Sequence, residues 1–158
     1  MSIKSCGIFS IPARPTEFVV GRHFVTGVAP GLMIDTAPAF DAAFGPITYP
    51  AAMTHDVWCG DLEMEMNNQD LFAALTHEGH NALIDVADIC ALLVLKMQGT
   101  QDAMIDRLAN IFFALDCKGR KQAIFLYGSG NSWSLDISYF GVSSKWRIDS
   151  RVFRLATG

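Results

Sequence analysis

The sequence is poor in charged residues and has no cysteine pair of the kind that binds a metal. Asp, Glu, Lys and Arg make up 18% of the 158 residues, against about 25% in an average globular domain. The four cysteines form no Cys-x-x-Cys pair, which excludes a zinc knuckle and a dithiol redox motif. We therefore predict reduced cysteines, as in a cytoplasm-like compartment. They are Cys6, Cys59, Cys90 and Cys117.

Long apolar runs are also lacking. The longest, residues 82–95, is interrupted by Asp85 and Asp88 and is shorter than a membrane-spanning helix. Near the N-terminus, the apolar run 7–11 is too short for the core of a secretory signal. We therefore expect a soluble, cytoplasmic protein without membrane contact.

Apolar residues are abundant by contrast. The chain is 51% hydrophobic and contains eleven Phe, seven Met and three Trp. Its length fits one domain over residues 1–158, and such a domain has limited room to bury so many large side chains. Some of them are expected to face a partner subunit or a ligand groove. We predict a homo-oligomer, a dimer or higher, because closed homo-oligomers are the commonest such assembly.

Basic residues are concentrated at the end of the sequence. Residues 118–158 carry seven Lys or Arg against two Asp or Glu, although the whole chain has a net charge of −4. A basic segment can bind nucleic acid or an acidic protein. The interpretation we favour is that it docks on the acidic part of its own chain, so nucleic acid is not expected as a partner. The residues are Lys118, Arg120, Lys121, Lys145, Arg147, Arg151 and Arg154.

Strands are predicted in both end regions. All six prolines lie before residue 51, where they separate short segments rich in Phe, Val and Ile. Residues 61–66 alternate strictly between acidic and apolar types, and their carboxylates are expected to meet Arg147 and Arg151 across a sheet rather than to bind a cation. The C-terminal strands form a three-stranded meander. Strands are predicted at 5–11, 17–28, 61–66, 122–127, 132–140 and 146–155.

Two long helices are predicted in the middle of the chain, after a short helix capped by Asn67 or Asn68. Residues 82–97 are apolar almost all round, and a second helix is expected from Thr100 through the spaced residues Met104, Leu108 and Ile111. Gly99 makes the connection short, so the pair is predicted as an antiparallel hairpin. The predicted fold class is α+β: an antiparallel or mixed sheet of N-terminal strands and the meander, packed against this helical hairpin.

The densest group of reactive residue types is His55, Asp56 and Cys59. A histidine held by a carboxylate can activate a cysteine nucleophile. On one extended strand, however, His55 and Cys59 would lie about 13 Å apart. A hydrolase site here would need a turn, or a histidine from elsewhere.

A second group lies in residues 76–80, which read Thr-His-Glu-Gly-His. Zinc proteases place two histidines four residues apart on a helix, whereas His77 and His80 are three apart and Gly79 separates them. We interpret the stretch as an elbow in which Asn81 caps the following helix. His77, Glu78 and His80 remain catalytic candidates, and the two histidines are weak metal ligands; we predict no metal and no cofactor. Similarly, residues 128–131 (Gly-Ser-Gly-Asn) are predicted as a hairpin turn and not a phosphate loop, because a strand follows.

No complete catalytic motif is present. We therefore predict a non-catalytic homo-oligomeric module that binds a small apolar ligand or a protein partner. Two alternatives stay open: a metal- or cysteine-assisted hydrolase using His55, Cys59, His77 and His80, and a binder of nucleic acid or acidic protein through the basic segment. Aromatic side chains suit a ligand groove. The candidates are Trp58, Trp133, Tyr139 and Trp146.

Overall fold

A computed structural model describes residues 2–24, 33–99 and 103–156. Within these ranges the chain forms nine strands, four helices and one 3-10 turn at His77–Gly79. The strands are β1 (Ile3–Ile11), β2 (Phe18–Val19), β3 (Met33–Thr36), β4 (Thr48–Tyr49), β5 (His55–Leu62), β6 (Asn110–Leu115), β7 (Lys121–Ser129), β8 (Ser132–Ser138) and β9 (Arg151–Leu155). The helices are α1 (Val20–His23), α2 (Pro38–Phe44), α3 (Asn68–Thr76) and α4 (Val86–Met97). The predicted α+β class is confirmed.

Seven strands form one mixed sheet in the order β1-β5-β9-β6-β7-β8-β3. The β6–β9 and β3–β8 pairs are parallel, and the other pairs are antiparallel. Strands β2 and β4 form a separate antiparallel pair. The mixed sheet that unites N-terminal and C-terminal strands is therefore as predicted, but β9 does not complete a meander. It lies between β5 and β6 instead of beside β8.

Helices cover both faces of the sheet. On one face, α4 and α2 pack in a core that includes Phe112 of β6. On the other face, α3 packs Leu71 and Leu75 in a core that includes Phe113. Consecutive residues of a strand point to opposite faces, so these two phenylalanines anchor different cores. β6 is thus a strand buried on both sides.

The predicted helical hairpin is wrong. Residues 110–115 form the central strand β6, and α4 is therefore not followed by an antiparallel helix; Thr100, the expected cap, lies outside the described residues. The apolar spacing from Met104 to Leu115 fits a helix, but the continuous run Ile-Phe-Phe-Ala-Leu equally fits a strand with two buried faces. Because both faces of this segment are buried in the sheet, it forms a strand and not a helix.

α4 corresponds to the helix predicted over residues 82–97. It runs from Val86 to Met97, and eight of its twelve residues are buried. Its N-terminus lies later than expected, because Asp85 and not Asn81 occupies the N-cap position. The side chain of Asn81 instead accepts a hydrogen bond from the amide of Leu83 (3.0 Å). No helix in the described part of the chain is long and apolar enough to cross a membrane.

The predicted strand over residues 61–66 is only partly correct. β5 ends at Leu62, and Met66 makes a single bridge to Trp146. Asp61, however, accepts two hydrogen bonds from Arg151 of β9, at 2.8 and 3.2 Å. The expected contact between this acidic segment and the basic segment is confirmed for that pair. A turn in which Asp149 has φ of 72° precedes β9.

The cysteines correct another prediction. Cys6 and Cys59 form a disulfide that joins β1 to β5, with their Cα atoms 5.7 Å apart, whereas Cys90 and Cys117 are free. Cys6 lies where the β1–β5 register shifts between Ser5 and Gly7. The pairing could not be predicted from the spacing, because the two cysteines are 53 residues apart and only the sheet brings their strands together. Because two of the four cysteines are paired, the prediction that all of them are reduced is wrong. It therefore gives no support to the predicted cytoplasmic location.

The buried position of β6 predicts how it responds to truncation. Phe112→Ala should lower the free energy of unfolding by about 3–5 kcal/mol, because it opens a cavity where Phe112 stacks on Phe153. Leu115→Ala, at the end of the same strand, is the control: its side chain is 44% exposed, so a loss below about 1 kcal/mol is expected. Urea unfolding measures both. Equal losses would contradict the central position of β6.

Candidate functional site

The catalytic candidates lie in three separate places. His55 and Asp56 line a cleft of about 420 Å³ between the start of β5 and the N-terminus of α4. Cys59 is buried, and its sulfur is bonded to Cys6, so it is not a free nucleophile. The remaining three side chains line a depression of about 50 Å³ beside Trp58 and Arg154. They are His77, Glu78 and His80.

The connection between α3 and α4 is longer than the sequence predicted, because α3 ends at Thr76 and α4 begins at Val86. α3 ends at Thr76, the 3-10 turn follows, and Glu78 adopts φ of 63°. His77 Nε2 lies 4.0 Å from Glu78 Oε1, and both side chains are largely exposed. Among the described residues, no group of three or more His, Cys, Asp or Glu side chains is placed to hold a metal ion.

His55 makes two hydrogen bonds in the cleft. Its Nε2 lies 2.9 Å from Asp88 Oδ2, and its Nδ1 lies 2.9 Å from the carbonyl oxygen of Met53. Both partners are acceptors when Asp88 is ionised, so both ring nitrogens donate only in the imidazolium form. Burial lowers the pKa of His55, but the bonds to Met53 and Asp88 outweigh it and raise the pKa above the ordinary value. The raised pKa favours the charged ring, and both ring nitrogens are already hydrogen-bonded within the protein.

Asp88 is the centre of this polar cluster. Its side chain is 3% exposed, and Arg14 Nη1 lies 3.6 Å from its Oδ1 while Arg14 Nη2 lies 3.1 Å from Asp85 Oδ2. Burial raises the pKa of Asp88, and the bond from His55 partly offsets the rise. Burial also raises the pKa of the neighbouring Tyr49 to about 12, with smaller contributions from the two carboxylates.

Sequence reasoning missed Asp88 as the partner of His55, and it missed Arg14 and Tyr49 as neighbours of Asp88. The available signal was an aspartate inside an otherwise apolar helix, which was interpreted only as an interruption of the run. A charged residue at such a position is seldom buried without a partner. The partner itself is 33 residues away in sequence, and only the fold identifies it.

Two of the four aromatic candidates share a groove. Tyr139 and Trp146 line a depression of about 380 Å³ together with Phe125, Val142 and Lys145. Phe125 and Trp146 meet edge to face, with ring centroids 5.3 Å apart. We call this the aromatic groove; Ile137, Ser138 and Ser144 complete its lining.

Buried Asn68, at the start of α3, ties the walls of the aromatic groove together. Its Oδ1 accepts a hydrogen bond from Trp146 Nε1 (2.7 Å). Its Nδ2 donates to Ser138 Oγ and to the carbonyl oxygen of Tyr139, both at 3.0 Å. The Trp146 ring and the Tyr139 backbone are therefore held in place without a ligand.

The other two aromatic candidates lie elsewhere. Trp133 is buried in the core, and its Nε1 donates to the carbonyl oxygen of Gly130 (3.1 Å). Trp58 donates to Ser5 Oγ (3.0 Å), and the guanidinium of Arg154 lies over its ring at 4.4 Å. The four side chains therefore do not form one site.

Comparison of the chain with protein-family models, curated proteins and solved structures finds no match. The aromatic groove and the cleft at His55 are therefore the two candidate binding sites. The basic segment offers less, because several of its cations contact the chain's own side chains. Arg120 pairs with Asp116 at 3.2 Å, and Lys121 lies over the rings of Phe72 and Phe140.

The His55–Asp88 bond predicts a pH-dependent stability. Because folding raises the pKa of His55, its contribution is fully present below the unfolded value of about 6.5 and is lost as pH rises through the folded value. The wild-type protein should therefore lose up to about 1 kcal/mol more free energy of unfolding between pH 5.5 and 8.5 than His55→Gln does, a small figure because the ring is partly exposed. Urea unfolding at both pH values measures the difference, and identical losses in the two proteins would contradict it.

Proposed function

We propose that the protein is a non-catalytic binding module that takes a small, planar, apolar ligand in the aromatic groove. The observation that carries the proposal is Asn68, which holds Trp146 and the Tyr139 backbone in position from the buried side. A wall held in this way loses little conformational entropy when a ligand binds. The groove is therefore pre-organised for binding.

The size and chemistry of the groove support this ligand class. Its volume of about 380 Å³ falls within the range of about 300–1,000 Å³ typical of small-molecule sites. Tyr139 is 62% exposed, so a ligand stacked on it would remove a large aromatic area from water. Lys145, Ser138 and Ser144 place polar groups around the lining, where they would suit a ligand with one anionic or polar end.

The alternative of a hydrolase has less support. Its candidate residues are dispersed over three places, Cys59 is in a disulfide, and both nitrogens of His55 are hydrogen-bonded. General base catalysis needs a nitrogen within reach of the substrate proton. The aromatic groove, by contrast, needs no rearrangement to accept a ligand.

A naphthalene probe tests the proposal. Titration with 2-naphthoate should shift the indole N–H resonance of Trp146, while those of Trp58 and Trp133 serve as internal references. Tyr139→Ser should weaken binding about tenfold, because it removes one aromatic wall.

Tyr127→Ser is the matched control, since Tyr127 is also half exposed (50%) but does not line the groove. It should bind 2-naphthoate as tightly as the wild-type protein. If both variants bind equally, or if the shifts appear only at Trp58 or Trp133, the groove is not the binding site.

Self-association is the second part of the proposal. β1 is an edge strand of the seven-stranded sheet, and its Ile8 is exposed. An edge strand with an apolar side chain can pair with the same strand of another copy. Much of the apolar surplus is, however, buried within the chain itself, chiefly around α4.

Light scattering tests this second part. The wild-type mass should be at least twice the 17.3 kDa of one chain, and Ile8→Lys should shift it towards the monomer by placing a charge at the edge. Ile148→Lys is the control, because Ile148 is exposed but lies outside the strands. A wild-type mass of one chain at every concentration would exclude the homo-oligomer.

A further inference from the structure

We propose that the cleft between the start of β5 and the N-terminus of α4 is a second binding site, for a small organic cation. The ligand class is a protonated amine on a compact apolar body, with the amine received by Oδ1 of Asp88. The cleft is separate from the aromatic groove and shares no lining residue with it. The proposal therefore stands independently of the function proposed above.

The first observation is a buried acceptor without a hydrogen-bond donor, in a residue that lines the cleft. Asp88 lines the cleft with its side chain 3% exposed, and its Oδ1 has no hydrogen-bond donor among the described residues. The nearest charged nitrogen, Nη1 of Arg14, lies 3.6 Å away, beyond hydrogen-bond distance. A buried carboxylate oxygen without a donor is costly and seldom left so. A ligand that donates to this oxygen would remove the cost.

The balance of charge selects a cation. Asp56, Asp85 and Asp88 face the cleft, and the positive side chains in contact with them are Arg14 and His55. Three carboxylates against two cations leave a net negative charge, which becomes larger when His55 loses its proton. The N-terminus of α4 carries a partial positive charge, but Asp85 at its N-cap and Asp88 in its first turn offset it. An anion of the same size would be repelled.

The remaining walls define the rest of the ligand. Leu83, Ile84 and Leu155 contribute apolar side chains to the lining of the same cleft. The volume of about 420 Å³ would hold a molecule of one ring with a short side chain. In such a ligand the ammonium group would contact the carboxylates, and the apolar body would contact the apolar side chains of the lining.

A matched series of probes tests the charge requirement. Benzylamine, benzyl alcohol and benzoate have similar shapes and are cationic, neutral and anionic at pH 7. Each is titrated into the ¹⁵N-labelled protein, and amide shifts are followed at residues 54–56 and 83–88. Benzylamine should shift these amides and bind about tenfold more tightly than benzyl alcohol, as expected for a hydrogen bond to a charged acceptor. Benzoate should leave them unchanged.

Variants test the role of Asp88. Asp88→Asn should weaken benzylamine binding about tenfold, because it replaces the unused carboxylate acceptor. Asp85→Asn keeps Asp88 and alters a side chain that is 48% exposed, so it tests the charge balance even if Asp88→Asn does not fold; a loss of about threefold is expected. Asp70→Asn removes the same charge at an exposed position of α3 and should leave benzylamine binding unchanged.

Several outcomes would overturn the proposal. One is equal binding of benzylamine and benzyl alcohol; another is binding of benzylamine that neither cleft variant weakens. A third is that benzylamine shifts only amides around Tyr139 and Trp146. That last result would assign the amine to the aromatic groove and leave the naphthoate experiment, which follows a different probe, unaffected.

Discussion

The burial of β6 on both faces is the constraint on which the rest of the structure depends. Phe112 and Phe113 point in opposite directions, so apolar layers are required above and below the middle of the sheet. α4 and α2 supply one layer and α3 supplies the other. α3 is nine residues long, and its first residue, Asn68, contacts the end of β8 through Ser138. The segment after β8 folds back there, and the aromatic groove lies where that segment meets Phe125 of β7.

Local patterns predicted the elements whose signals are local. Asn67 caps α3 as expected, and its side chain accepts a hydrogen bond from the amide of Asp70. The predicted hairpin turn between β7 and β8 forms at Gly130 and Asn131, with Gly130 at φ of 59°, whereas Gly128 and Ser129 belong to β7. Strands β7 and β8 lie close to their predicted ranges. In each case the neighbours that determine the conformation are only a few residues apart.

The errors arose where distant contacts decide. Residues 104–115 fit a helical period, and only burial between two layers selects the strand. The Cys6–Cys59 and His55–Asp88 contacts join residues that are 53 and 33 positions apart, and no spacing rule connects them. The residues of the aromatic groove likewise include some that the sequence identified and one that it did not. Tyr139 and Trp146 were identified by residue type, whereas Asn68, which holds them, was interpreted only as an alternative helix cap.

The position of β9 has a consequence for the order of assembly. Its five residues provide the hydrogen bonds that join the β1–β5 pair to β6, β7, β8 and β3, yet it is the last strand in chain order among those described. During synthesis the two parts of the sheet emerge first and have no strand between them. The sheet closes when β9 inserts between its neighbours, a long-range step of the kind that makes folding slow. Until β9 inserts, the edges of β5 and β6 that it will cover are exposed. Incorrect strand pairing can therefore compete with correct folding during this interval.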